Sequence, residues 1–216
     1  MTLPYVDHII YAGPDLNQAM DEIEALLGIR PIFGGQHTGR GTHNALLSLG
    51  GRCYLEVIAP DPTQAEPPQP RSFGLNTPPD RARLVTWASP SNNLAAQCEQ
   101  ARAAGYDPGV VVDGGRLTSD GVQLNWRSAK RPENAQGKPL VGGGLIPFLI
   151  EWGNTPHPAL SSPQGCELVR FSAEHPHPDQ ITPMLAALNL PVTVTQGSQP
   201  QLIAIINTPN GQIELR

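Results

Sequence analysis

The 216-residue chain predicts an α+β fold built from three successive strand–helix–strands units. Three observations carry this reading. Apolar residues recur at helical spacing in three segments, each just after a β-rich run. Pro (24) and Gly (22) make about a fifth of the chain without any period, which suits turns, loops and sheet edges. The apolar fraction is 39% against 15% charged residues, a globular balance and not a disordered one.

The first unit opens with "YVDHIIYA" (5–12), β-rich and closed by Gly13-Pro14. "DLNQAMDEIEALLG" (15–28) follows, with apolar residues at 16, 19, 20, 23, 26 and 27. Asp15 suits the N-cap of that helix and Gly28 the residue after its end. The Gly-rich "FGGQHTGRG" leads into two strands within "GTHNALLSLGGRCYLEVIAP" (41–60), joined at a Gly-Gly turn. A Pro-rich connector covers 61–80. The second unit has a strand at "ARLVTWA" (82–88), a helix within 91–109 ending at Gly105, a hairpin over "VVVDGGRLTSDGVQLNWR", a loop over 128–143 and a buried strand at 144–153. The third has a strand at 166–173, a helix at 179–190 with Pro183 in its first turn, and three further β-rich runs, the last two joined by the tight turn "TPNG". A repeat of roughly fifty to seventy residues results.

Composition narrows the function. A net charge of −5 and a pI near 5.6, with no basic run, argue against a nucleic-acid surface. No apolar stretch has bilayer length, and "MTLPYVDHII" lacks the pattern of a signal peptide, so a cytoplasmic protein without membrane contact is expected. Cys53, Cys98 and Cys166 lack metal-type spacing and read as small buried hydrophobes of a reducing compartment. P-loop, Gly-x-Gly-x-x-Gly, Gly-x-Ser-x-Gly and His-Glu-x-x-His motifs are absent, so neither a nucleotide cofactor nor serine hydrolysis is expected.

"VDHIIYAGPDLNQAMDEIEALLGI", "GTHNALLSLG" with "YLEVIAPDP", "LVTWA", and "PFLIEWGNTPHP" occur in that order. Their joint order resembles the glyoxalase-like domain family of the vicinal-oxygen-chelate superfamily, over nearly the whole chain. The resemblance implies βαβββ modules that pair edge to edge, curling a mixed sheet into a cup with helices outside. Module boundaries then fall at 1–60, 81–158 and 165–216, with 61–80 as connector, packed as one compact unit. It also implies one divalent ion (Zn, Mn, Ni or Fe) held by His8 and Glu56 of the first module and Glu151 of the second. Aligning "RLVTWAS" with "DHIIYAG" by the following Pro puts Leu84 at the fourth position, which cannot bind a metal, and His43 is the substitute.

Each residue also has an ordinary structural reading. Glu56 shares a strand face with Tyr54 and Ile58, where an unpaired carboxylate is costly; it either lines a polar concavity or pairs with Arg40 or Arg52 at an edge. His8 and His43 are metal ligands or hydrogen-bonded pocket histidines. Glu151, in the most apolar run, reads as a general base or as a partner of His8. Trp87 and Trp126 read as an apolar pocket wall or as core. Asn44 and Arg127 are polar anchors or surface residues. His157, His175 and His177 lie in Pro-rich loops, and Glu214 has no evident His partner. The expectation is an enzyme on a small oxygenated metabolite, of lyase, isomerase or dioxygenase type, with Glu56 and Glu151 catalytic. The alternative is a metal-free protein that binds or sequesters a small molecule, as bleomycin-resistance relatives do. A homodimer is compatible with either.

Overall fold

The computed structural model describes residues 3–118, 121–131 and 140–216. Much of the expected 128–143 loop lies outside the described residues. The first unit comprises β1 (His8–Ala12), α1 (Leu16–Leu27), β2 (Ile32–His37), β3 (Thr42–Ser48) and β4 (Tyr54–Pro60). Asp15 caps α1 by accepting from the Gln18 amide at 2.9 Å. Gly28 ends the helix with φ 76°, a left-handed turn that a side chain would strain. The apolar stripe Leu16, Ala19, Met20, Ile23 and Leu27 is buried, while Leu26 is exposed.

The second unit comprises β5 (Arg83–Pro90), α2 (Leu94–Ala103), β6 (Val110–Leu117), β7 (Gln123–Lys130) and β8 (Phe148–Glu151). The helix is shorter than 91–109 because Asn93 caps it, accepting from the Ala96 amide at 3.2 Å. The strand expected from residue 144 begins at 148, because Gly142 and Gly143 adopt positive φ in a 3₁₀ turn just before it. The third unit comprises β9 (Glu167–His175), α3 (Pro178–Ala187), β10 (Thr193–Gln196), β11 (Gln201–Thr208) and β12 (Gly211–Leu215). Pro178 occupies the first turn of α3, so Pro183 lies within the helix and not in its first turn.

Eight strands form one curved mixed sheet in the order β2-β3-β4-β1-β5-β8-β7-β6. In each of the first two units the first strand pairs in parallel with the last, β1 with β4 and β5 with β8. The units join through the antiparallel pair β1–β5, with His8 opposite Ala88. The far edges approach each other: the Arg116 guanidinium on β6 donates to the Gly34 carbonyl on β2, so the sheet nearly closes. The third unit has the same order of elements but different pairing, β10-β9-β11-β12, with β9 parallel to β10.

The third unit packs behind the large sheet, where Phe171 meets Trp87 edge to face at 5.0 Å. One apolar cluster holds residues of all three units, including Ile9, Leu55, Trp87, Phe171 and Leu185. A second, smaller cluster lines the concave side of the large sheet, with Ile10, Tyr54, Ile58, Val85, Phe148 and Ile150. The polar site sits within this second cluster.

Candidate active site

Alternation along the strands decides which side chains face the cup. His8 and Ile10 on β1, Asn44 and Leu46 on β3, and Tyr54, Glu56 and Ile58 on β4 share the concave face with Trp126 and Lys130 of β7 and Phe148 and Ile150 of β8. Together they enclose a narrow cavity of about 60 Å³, whose wall also includes His37, Arg116 and Phe73. That is room for only a few water-sized groups.

Glu56 is 6% exposed, accepts one hydrogen bond and is flanked by two imidazoles. Asn44 Nδ2 donates to Oε1 at 2.7 Å, and His8 Nε2 lies 3.6 Å from Oε2. His37 Nε2 is 3.8 Å from Oε1. Burial pushes the His37 pKa down to about 4, helped by Arg116, Arg40 and Lys130 and opposed by Glu56, so this ring is neutral at neutral pH.

Beneath the cavity lies Asp7, buried and shared by three donors. His8 Nδ1 donates to Oδ1 at 2.7 Å, Trp152 Nε1 to Oδ1 and Oδ2 at 3.2 and 3.1 Å, and His157 Nε2 to Oδ2 at 3.2 Å. Burial would raise the Asp7 pKa, but the hydrogen bonds and charges of His157 and His8 outweigh it and hold it at about 2. An ionised carboxylate only accepts, so the Nδ1 proton of His8 is fixed and Nε2 turns toward Glu56. Tyr54 stacks on the His8 ring at 4.5 Å with 19° between planes, fixing its orientation further.

Three cations complete the wall, the exposed Arg40 and the more buried Arg116 and Lys130. Arg116 is buried, and its pKa is lowered by that burial. Lys130 Nζ sits 5.5 and 5.8 Å from the ring centres of Phe148 and Phe73. Burial, with Arg40 adding and Glu56 opposing, brings the Lys130 pKa down to about 8.

The structure brings together His8, Glu56, Asn44 and Trp126 among the residues expected from sequence, and moves four others elsewhere. Glu151 is not in the cup: one position beyond Ile150, it faces outward and pairs with Arg127 across the β7–β8 ladder. Arg127 is therefore an outer-face residue, half exposed. His43 also points away from the cup, 3.9 Å from Asp61 and edge-on to Phe33. Trp87 is core, with its indole N–H donating to the Leu145 carbonyl at 2.9 Å. Conversely, Asp7, His37, Tyr54, Arg116 and Lys130 belong to the site, and His157, in the loop after β8 as expected, is a buried member of the Asp7 network.

The position that alignment gave to Leu84 also shifts. A bulge opposite Ile10/Tyr11 inserts one residue in β5, so Val85 joins the concave cluster and Leu84 the outer core. Phe148 pairs with Ala88 as Ile58 pairs with Ala12, so it takes the place of Ile58 on the concave face. The second half of the cup is therefore apolar where the first carries an imidazole and a carboxylate. Among the described residues no three His, Cys, Asp or Glu side chains converge to hold an ion. The donor set does not fit the divalent ion that the resemblance implies: His8, His37 and Glu56 all belong to the first unit and do not converge on one point, and the β5 and β8 positions opposite them are apolar.

Paired βαβββ units around a cup define a protein of the vicinal-oxygen-chelate class. A glyoxalase-like domain family model matches residues 6–189, and the chain belongs to that family. A hypothetical protein from Staphylococcus aureus shares the fold at 13% identity and a TM-score of 0.63, covering 97% of this chain and 83% of that one. Methylmalonyl-CoA epimerase from Mycobacterium tuberculosis is 20% identical with a TM-score of 0.41, covering 69% of this chain and 88% of its own. No curated protein sequence matches the chain. No helix among the described residues is long and apolar enough to cross a membrane.

Proposed function

We propose that the cup is the site of a metal-free acid–base enzyme that moves a proton on a small oxygenated metabolite, an isomerase- or lyase-type reaction. One observation carries the reading: His8 Nε2, with its Nδ1 proton tied to Asp7, faces Glu56 Oε2 at 3.6 Å on the wall of the cup. Such an imidazole is poised as a general base. It takes a proton from carbon next to a carbonyl. The C–H electron pair moves into the carbonyl, forming an enolate oxygen, and the same proton returns to carbon or leaves with a departing group. The imidazolium formed lies between the carboxylates of Asp7 and Glu56, which stabilise it, while Lys130 and Arg116 stabilise the oxyanion. Glu151 and His43 take no part.

The test is proton exchange in D₂O, followed by NMR, with 2-oxoacids, β-dicarbonyls and thioesters. Exchange by the wild type that is lost in His8→Ala and Glu56→Gln is expected. Tight binding with no exchange for any compound would overturn it in favour of a binding or sequestering protein. That second reading is supported by the apolar half of the cup, Val85, Ala88, Phe148 and Ile150.

A further inference from the structure

The cup is richer in positive charge than its own carboxylate needs. Glu56 is the cavity's acid, and it is met by Asn44 and flanked by two imidazoles. Arg116 and Lys130 line the same cavity, and among the described residues neither has a carboxylate within 4 Å. Burying a guanidinium or an ammonium without a counter-ion is unfavourable by several kcal/mol in order of magnitude. Arg116 is engaged at one nitrogen by the Gly34 carbonyl, and Lys130 rests on two aromatic faces. A backbone carbonyl and ring quadrupoles soften that penalty without cancelling the charge.

Unpartnered neutral groups lie on the same concave surface. Asn44 Oδ1 is buried without a hydrogen-bond partner among the described residues, although its Nδ2 is held by Glu56. Ser128 Oγ is likewise buried and unpartnered, on the inward face of β7 between Trp126 and Lys130. Buried polar atoms are ordinarily satisfied, so each marks a missing partner. The aromatic rings of Trp126, Trp152, Phe148 and Phe73 supply the apolar remainder of the wall.

We propose that the cup selects a small organic acid, its carboxylate received by Lys130 and Arg116 and its carbon body by the aromatic wall. This deepens the acid–base reading above and rests on the same cavity. The carboxylate replaces the missing counter-ion of both cations, and a hydroxyl or hydrate on the acid suits Asn44 Oδ1. Selection then works through charge: a neutral ligand of the same shape leaves both cations buried and unpaired.

The test is isothermal titration of the untagged full chain with glyoxylate, pyruvate and 2-oxobutyrate, each against its primary amide. At least one acid is expected to bind tenfold or more tighter than its amide. Lys130→Met, with an unchanged melting temperature, is expected to lose most of that preference, and Arg116→Met to do the same if it folds. Amides that bind as well as the acids, no binding by any acid, or a folded Lys130→Met that keeps the preference would each overturn the assignment. Amides that bind equally and still exchange protons in D₂O would leave the acid–base reading standing while this one fails. Acids that bind but exchange nothing would do the reverse.

Discussion

Asp7 Oδ1 accepts a hydrogen bond from Nδ1 of its chain neighbour His8 at 2.7 Å, and this one contact sets the tautomer of the ring that faces the cup. The same carboxylate also receives Trp152 and His157, so it joins the start of β1 to the loop after β8. Asp7→Ala strands three buried donors and is expected to destabilise the fold by about 3–5 kcal/mol. Asp7→Asn keeps an oxygen for one or two of them and is expected to cost about 1–3 kcal/mol, the range for a buried donor or acceptor left unsatisfied. In Asp7→Asn the His8 ring is no longer held to one tautomer. ¹⁵N NMR of the imidazole is expected to show mixed Nδ1 and Nε2 protonation, with proton exchange falling further than binding does. A single unchanged tautomer would remove Asp7 from the positioning role.

His37 makes a pH prediction with a definite sign. Its folded pKa, about 4, lies below the ordinary 6.5, so the unfolded chain takes up this proton first as the pH falls. Its contribution is fully present above 6.5, is lost as pH drops toward 4, and amounts to roughly 3 kcal/mol across the window. Urea unfolding at pH 7.5, 5.5 and 4.5 is expected to show a steeper loss in the wild type than in His37→Gln. Equal slopes would mean that the ring is not held neutral.

How far the sequence reveals the site depends on strand parity. Helices α1 and α2 and the chain order of strands and helix in each unit are legible from spacing and capping residues, while the inward placing of His8 and Glu56 is what the family resemblance implies. Matching Glu151 to Glu56 ignores strand parity: Phe148 and Ile150 face the cup, so 151 cannot. The bulge in β5 adds another single-residue shift, and one residue is enough to turn a side chain to the opposite face. His37 and Lys130 are legible only after closure, because β2 and β7 carry no motif and meet the other groups through the curvature of the sheet. Asp7 had a signal in its place beside a buried strand histidine, but its partners Trp152 and His157 lie some 145 and 150 residues away.

Glu151 and Arg127 form an outer-face pair, with the Arg half exposed. Solvent screens such a pair and its net effect on stability is small. Glu151→Gln and Arg127→Gln are expected to leave melting temperature, ligand binding and proton exchange essentially unchanged. Loss of exchange in Glu151→Gln with the fold intact would restore this residue as the base and displace His8.

Trp87 separates core from site in the opposite way. It is fully buried between the large sheet and Phe171 of the third unit, and donates to the Leu145 carbonyl. Trp87→Ala is expected to cost about 3–5 kcal/mol, the range for emptying a large aromatic site. At a temperature where the variant remains folded, its ligand affinity is expected to stay within twofold of the wild type. A selective loss of affinity without loss of stability would place the indole in the binding wall.

Gly34 tests the closure of the cup itself. A methyl group there would stand 2.5 Å from Asn44 Oδ1, 3.1 Å from Leu46 Cγ and 3.2 Å from Arg116 Nη2. Those side chains hold Glu56, fill the inner wall and bridge the two edges of the sheet, so the added carbon disturbs all three functions at once. Overpacking of this kind costs about 1–3 kcal/mol. Gly34→Ala is expected to fall in that range and to weaken ligand binding about tenfold, because Asn44 must turn away from Glu56. Asn44→Ser should relieve the clash, so the double variant is expected to be less destabilised than the sum of the two singles. Strict additivity in that cycle would mean that Gly34 and Asn44 do not share the space, and that the seam between β2 and β6 is looser than the Arg116–Gly34 bridge requires.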